Sequence, residues 1–218
     1  MSFLRIDGPV FRFLETLTNL LLLNILCLVC SIPVVTIGPS LTATYYVALK
    51  IIRKEETGIF KNFFHSFREN FKQGMVLGLG VTVLAALLLA DLSVLTYLPA
   101  IPEGISKVLL VVTGVLLLIL AFISVYLFAV LAQFENETKE IIKWSAILAV
   151  RHLPVTLICL LIAAIPVLCM IFIPVLFLEA VLPITLLIGF SGIAYIHAFF
   201  FVRVFAYYMP KEEESEEE

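Results

Sequence analysis

The sequence predicts an all-α polytopic transmembrane helical bundle, and three observations lead there. Of its 218 residues 62% are hydrophobic and 14% charged, against about 45–50% and about 25% in soluble domains, so the chain carries too little charge to cover itself in water. Its mean hydropathy is +1.12. The apolar runs are long and unbroken instead of alternating, and a backbone in lipid satisfies itself only as a helix or a closed barrel, which leaves helices. Residues 1–210 read as one integral-membrane helical domain and 211–218 as an acidic cytoplasmic tail.

Taken in order, Met1 to Glu15 is a short amphipathic lead-in, retained because no small-x-small cleavage site follows it. Thr16 to Ile32 is a Leu-rich span containing Asn19 and Asn24. Pro33 disfavours helix at Ile32 and ends it, and the β-branched VVTIG after it is expected to be extended. Gly38-Pro39 restarts a helix, with Pro39 suited to the first turn. This helix, 40–53, covers roughly 21 Å at about 1.5 Å per residue against a core of about 30 Å, too short to cross comfortably. The bundle therefore has five long spans, or six if 40–53 crosses.

Gly58 to Gly74 follows, GIFKNFFHSFRENFKQG. Phe60, Phe63, Phe64, Phe67 and Phe71 fall at i, i+3, i+4, i+7 and i+11, which gathers the rings on one arc of a helix. Lys61, His65, Arg68 and Lys72 band the polar side. The expected element is a cytoplasmic amphipathic interfacial helix over 59–73. Rings so placed could equally fill the core or a partner's groove.

Met75 to Leu98 and Val108 to Ala132 are the next spans, with Asp91 in the first. Gln133 to His152 reads as a polar loop, and Pro154 to Leu178 with Leu182 to Tyr207 as a hairpin joined near Glu179. The Phe helix and the second polar loop each precede a pair of spans, which puts Arg68 and Arg151 in corresponding places.

Charge placement orients the chain. With six crossings and the loop from Lys50 to Lys72 inside, every basic residue except Lys107 is cytoplasmic, and so are both termini. The net charge of -3 comes from the tail KEEESEEE and implies no nucleic-acid partner. Cys27, Cys30, Cys159 and Cys169 lie in apolar runs and read as small buried hydrophobes. His65, His152 and His197 have no Cys or carboxylate at ligand spacing, so no metal or other cofactor is expected.

Polar residues inside spans are the candidates for chemistry. Asn19 and Asn24 suit interhelical hydrogen bonds. His197 lies well within the last span and is either a structural histidine or a polar-ligand contact. Lys61, Arg68, Lys72 and Arg151 are candidate cytoplasmic docking residues. The segment ENETKEIIKWSAILAVRHLP lacks the glycine that the coupling motif of ABC permeases requires. No P-loop, metalloprotease helix or nucleophile with its base is visible, so no catalytic residue is named and no enzymatic activity is expected.

PVVTIGPSLTATYYVALKIIRKEE from Pro33 and IFKNFFHSFRENFKQG from Ile59 resemble the YesL-like family of bacterial integral membrane proteins, a domain of unknown function. Pro33, Thr36, Gly38, Pro39, Phe63, Phe64, Phe67, Asn70 and Phe71 are the positions that match its pattern. The resemblance implies a multi-pass protein of the bacterial plasma membrane, encoded near carbohydrate-uptake genes. It thereby implies a non-enzymatic accessory role beside sugar ABC transporter subunits, with a small autonomous transporter or channel for a polar solute as the alternative.

Overall fold

The computed structural model describes residues 9–55, 58–97 and 102–208, and every regular element among them is helical. The first eight residues of the lead-in and the acidic tail lie outside the described residues. Helix α1 runs Pro9–Cys30, so the rest of the lead-in forms its first turns instead of standing apart. Pro33 ends it as expected. The segment after Pro33 is not extended: Val34–Thr36 is a 3-10 turn. The Thr36 hydroxyl shares its hydrogen between the carbonyls of Cys30 at 2.6 Å and Pro33 at 2.7 Å, which folds the β-branched run into a tight corner.

Helix α2 is Ile37–Arg53, 17 residues, and with the preceding turn it makes 20 residues long and apolar enough to cross a membrane. It is the sixth segment among the described residues that is long and apolar enough to cross. Half of its most apolar 18-residue stretch is buried, against at most 28% in any of the others. It packs on five other helices. One face sends Ala43 and Val47 into a cluster with Leu23 and Leu26 of α1. The opposite face sends Tyr45, Ala48 and Leu49 into the main core.

Lys54 closes α2 in the left-handed conformation, φ 59°, and the backbone N–H groups of Lys54 and Glu55 cap the carbonyls of Ile51 and Lys50, each at 3.1 Å. The chain then returns along α2 as α3, Ile59–Glu69. This helix stops before 73 because Asn70 turns the chain. Its Nδ2 donates back to the Ser66 carbonyl at 3.2 Å, and its own carbonyl accepts the Gly74 N–H at 2.7 Å. Phe71 therefore belongs to the next helix, α4, Phe71–Tyr97.

Helix α5, Glu103–Gln133, returns beside α4, with the Thr113 hydroxyl donating to Asp91 at 2.6 Å. The expected polar loop then proves to be a helix, α6, Thr138–Arg151. Ile141, Ser145, Leu148 and Ala149 are its buried stripe, at i, i+4, i+7 and i+8. Two of the four are small, which hid the pattern. Helix α7 is Leu153–Phe172, and α8 is the helical run Pro174–Ala206. The joint between them is Ile173, not Glu179, because Pro174 excludes helix at the residue before it. Glu179 lies inside α8, in the first of two π-helical stretches, Phe177–Val181 and Thr185–Gly189.

Two parts of the chain share one burial pattern. Ile59, Phe63, Ser66, Gly74 and Leu77 are buried, and so are Ile141, Ser145, Leu148, Thr156 and Cys159, each 82 residues further on. The breaks at Asn70, between α3 and α4, and at His152, between α6 and α7, keep the same spacing. Thus α2–α3–α4 and α5–α6–α7 are each a span, an amphipathic helix and a span. In this register Arg151 corresponds to Glu69, not to Arg68.

The tightest point is the crossing of α2 on α4. A Cβ placed on Gly38 would fall 1.9 Å from the Gly74 carbonyl oxygen, and one on Gly78 would fall 2.7 Å from the Gly38 Cα. Gly74 and Gly78 have the small-xxx-small spacing that lets helix backbones touch. We expect Gly38→Ala to lower stability by more than the ~1–3 kcal/mol usual for overpacking, because the obstacle is backbone and cannot rotate away. Gly80→Ala, with open space around it, is the control and should leave the melting midpoint in detergent unchanged.

Candidate functional site

Since α3 leaves α2 through the capped turn at Lys54, its apolar arc is divided between two environments. Phe63 is fully buried against α1 and α2, with Ile59 beside it and Phe67 partly covered. Phe63 and Phe67 stack at 6.0 Å, and Phe71 meets Phe67 edge-on at 5.6 Å. Phe60 and Phe64 stay exposed, 55% and 36%. Five rings on one arc therefore act as a core anchor plus a two-ring outer ridge.

Beside that ridge a groove of about 790 Å³ opens between α2 and α3, lined by Tyr46, Lys50, Lys61, His65, Arg68 and Glu69 with the two exposed rings. The Lys50 ammonium sits 5.0 Å from the centre of the Tyr46 ring and 3.8 Å from Glu55. His65 lies 3.4 Å from Glu69. Lys61 and Arg68 are exposed, two turns apart on one stripe. Lys72, on the first turn of α4, is exposed as well.

The intramembrane polar candidates are held by the protein itself. Asn24 Nδ2 donates to the carbonyls of Leu186 at 2.8 Å and Thr185 at 3.4 Å, and its Oδ1 accepts the Ser191 N–H at 3.1 Å. It thus ties α1 to the π-helical stretch of α8. The Ser191 hydroxyl returns the tie by donating to the Leu20 carbonyl at 2.8 Å.

His197 is buried, with Nε2 3.1 Å from the Cys159 carbonyl of α7 and Nδ1 2.9 Å from the Tyr45 hydroxyl of α2. A carbonyl only accepts, so in the neutral ring Nε2 carries the hydrogen and Nδ1 accepts from Tyr45. One imidazole therefore joins three helices. Asn19 differs from both: with Arg12, Glu15, Lys54, Glu55 and Tyr195 it lines a cleft of about 600 Å³ between α1, the end of α2 and α8.

Arg151 ends α6 with its guanidinium 5.5 Å from the centres of both Tyr207 and Tyr208. Tyr208 also meets Trp144 at 6.3 Å and lies 3.3 Å from His152 Nε2. The cation so placed fastens α6 to the end of α8. At the ends of α2 and α5, Arg53 donates to Gln133 at 2.7 Å. All four cysteines are free thiols, Cys27 and Cys159 buried. Among the described residues no group of three His, Cys, Asp or Glu side chains could hold a metal ion.

Among the described residues, six helices long and apolar enough to cross and two amphipathic ones, tied by buried polar groups, define an all-α polytopic bundle of the membrane-protein class. Residues 19–92, from the middle of α1 through most of α4, match the family described as "Protein of unknown function, DUF624". The chain is 28% identical over 171 residues to the uncharacterised protein YesL of Bacillus subtilis (strain 168), covering 77% of this chain and 78% of that one. Together the two likenesses support a YesL-like family for this chain. No solved structure matches it. The family-pattern residues Pro33, Thr36, Gly38 and Pro39 build the corner and the crossing of α2, while Phe63, Phe67, Asn70 and Phe71 anchor α3 and turn it into α4.

Truncation separates the roles of the rings. Phe63→Ala should cost about 3–5 kcal/mol as a core aromatic deletion, whereas Phe60→Ala should stay within about 0.5 kcal/mol; thermal unfolding in detergent measures both. Asn24→Leu strands two carbonyls and one N–H, each worth about 1–3 kcal/mol when left unpaired, and should lower the same midpoint while Asn19→Leu leaves it nearly unchanged.

Proposed function

We propose that this YesL-like protein is a non-enzymatic accessory component of the bacterial plasma membrane, working beside a sugar ABC transporter with both termini in the cytoplasm. The observation that carries the reading is α6. At 14 residues it is not one of the helices long and apolar enough to cross, it is fastened at one end by Arg151, and it turns a second apolar ridge outward. Ile142, Ile147 and Val150 are exposed, Val150 to 68%, between Lys139, Glu140 and Lys143. Partner-facing surfaces combine apolar anchors with a polar rim in this way. The sugar-transport partner rests on the family's gene surroundings, and the orientation on the crowding of basic residues into the loops on one side of the spans.

The buried polar residues support a structural rather than catalytic use of the bundle, since Asn24 and His197 are engaged on every polar side by neighbouring helices. A second reading, a small autonomous transporter for a polar solute, is supported by the cleft that reaches Asn19.

Purification of the tagged protein in mild detergent from its own membranes should recover the permease subunits of a sugar ABC transporter. Ile147→Ala with Val150→Ala should cut that recovery at least tenfold without moving the melting midpoint. Recovery of the bundle alone, with unchanged sugar uptake in a deletion strain, overturns the accessory reading. The transporter reading instead expects solute flux in liposomes that Asn19→Leu abolishes.

A further inference from the structure

The groove between α2 and α3 carries a feature that the fold does not ask for. In the second unit, 82 residues on, the positions of Phe60, Lys61, Phe64, His65 and Arg68 hold Ile142, Lys143, Ala146, Ile147 and Val150. The buried stripe keeps its places while two of the three basic residues on the outer face, His65 and Arg68, give way to aliphatic ones. Packing therefore does not require the full basic stripe of α3. Its members nevertheless converge: Lys61, His65 and Arg68 share one face of α3, and Lys50 comes over from α2 to the same groove. The acidic groups nearby are Glu69, beside His65, and Glu55, beside Lys50. Lys61 and Arg68 have no acidic partner within salt-bridge distance among the described residues, so the groove is net cationic.

The surroundings select one kind of anion. Helix α3 lies in sequence between two segments long and apolar enough to cross a membrane, α2 and α4, and of its exposed rings Phe60 adjoins Lys61 while Phe64 lies one turn from both Lys61 and Arg68. Aromatic rings at the acyl boundary with cations at headgroup level are the arrangement by which an interfacial helix meets an anionic leaflet. A soluble anion would use the cations and leave the two rings idle.

We propose that the α2/α3 groove is a binding site for the phosphodiester headgroup of an anionic phospholipid. Lys61 and Arg68 contact the phosphate, Lys50 closes the groove from α2, and Phe60 and Phe64 lie along the acyl chains. The site does not rest on the accessory reading above: it uses the first unit, whereas the partner contact uses α6.

Native mass spectrometry of the purified full chain in detergent, titrated with phosphatidylglycerol or with phosphatidylcholine, tests it. The expected result is preferential retention of phosphatidylglycerol, reduced about fivefold for each cation removed, hence about 25-fold in Lys61→Gln with Arg68→Gln. Lys139→Gln with Lys143→Gln on α6 should retain the lipid like the parent chain. Circular dichroism and the melting midpoint check that both variants remain folded, as expected for exposed positions. Equal retention of the two lipids by the parent chain, or unchanged preference in the α3 variant, overturns the proposal. Displacement of the lipid by 10-fold excess inorganic phosphate also overturns it, since the site would then be one for a soluble anion.

Discussion

Everything in this bundle depends on how close other backbones can come to α2. A helix flanked by five neighbours must be thin on most sides, and α2 is thin where it is touched: Gly38, Ser40, Ala43, Thr44 and Ala48 are all buried. Lipid supplies no hydrophobic push between helices, so association there rests on van der Waals contact and on hydrogen bonds made at short range. The crossing of Gly38 on Gly74 and Gly78 is the extreme case. Because α3 and α4 are placed by that crossing and by the Thr36 corner, the position of the exposed groove on α3 is set by glycines that have no chemistry of their own. The region that matches the family, 19–92, contains both sides of this contact.

The repeated unit shows what a membrane fold keeps when residue identity is lost. Across the 22 positions 59–80 and 141–162 only Ile59/Ile141, Lys61/Lys143 and Leu79/Leu161 agree, yet five of the six buried places in each coincide. The exchange is compensatory: Phe63 is matched by Ser145, and Ser66 by Leu148, so the bulky residue moves one turn along the same stripe. Close packing fixes the volume to be filled, not which residue fills it. Repeats whose corresponding spans run in the same direction are related by an axis along the membrane normal. In the order of the six segments long and apolar enough to cross, α2 is the second and α5 the fourth. Arg53 and Gln133, the last residues of those two helices, bond to each other where the two units meet.

How much of this could be read in advance follows from the range of each interaction. The apolar spans, the stop at Pro33 and the amphipathic α3 are local signals and were legible. So was the break before Pro174, although the polarity of Glu179 drew the joint several residues away from it. Helix α6 was hidden because Ser145 and Ala149 are as buried as Ile141 and Leu148 but do not look apolar in a pattern count. The glycines 74 and 78 carried a legible small-xxx-small spacing that marks a contact without naming the partner. The Tyr45–His197 bond joins residues 152 positions apart, and nothing along the chain announces it. In the candidate site, the cations and rings of α3 were all visible; the division of the rings into buried Phe63 and exposed Phe60 and Phe64 depends on which neighbours α2 brings.

The polar groups of this chain divide by whether the fold has already used them. Inside the spans an unpaired donor or acceptor is strongly unfavourable, because no water is there to take its place. Asn24, Ser191, Tyr45 and His197 answer that constraint by bonding across helices, and each thereby gives up the free valence that a solute or a proton path would need. Arg151 is used in a similar way at the membrane edge, its charge held against two tyrosine rings. The cations of α3 are not consumed by packing, and the second unit demonstrates that the same helix packs with aliphatic residues in place of His65 and Arg68. Two copies of one packing solution, differing on one outer face, separate what holds the bundle together from what it offers to its surroundings; the stripe from Lys61 to Arg68 falls on the second side of that division.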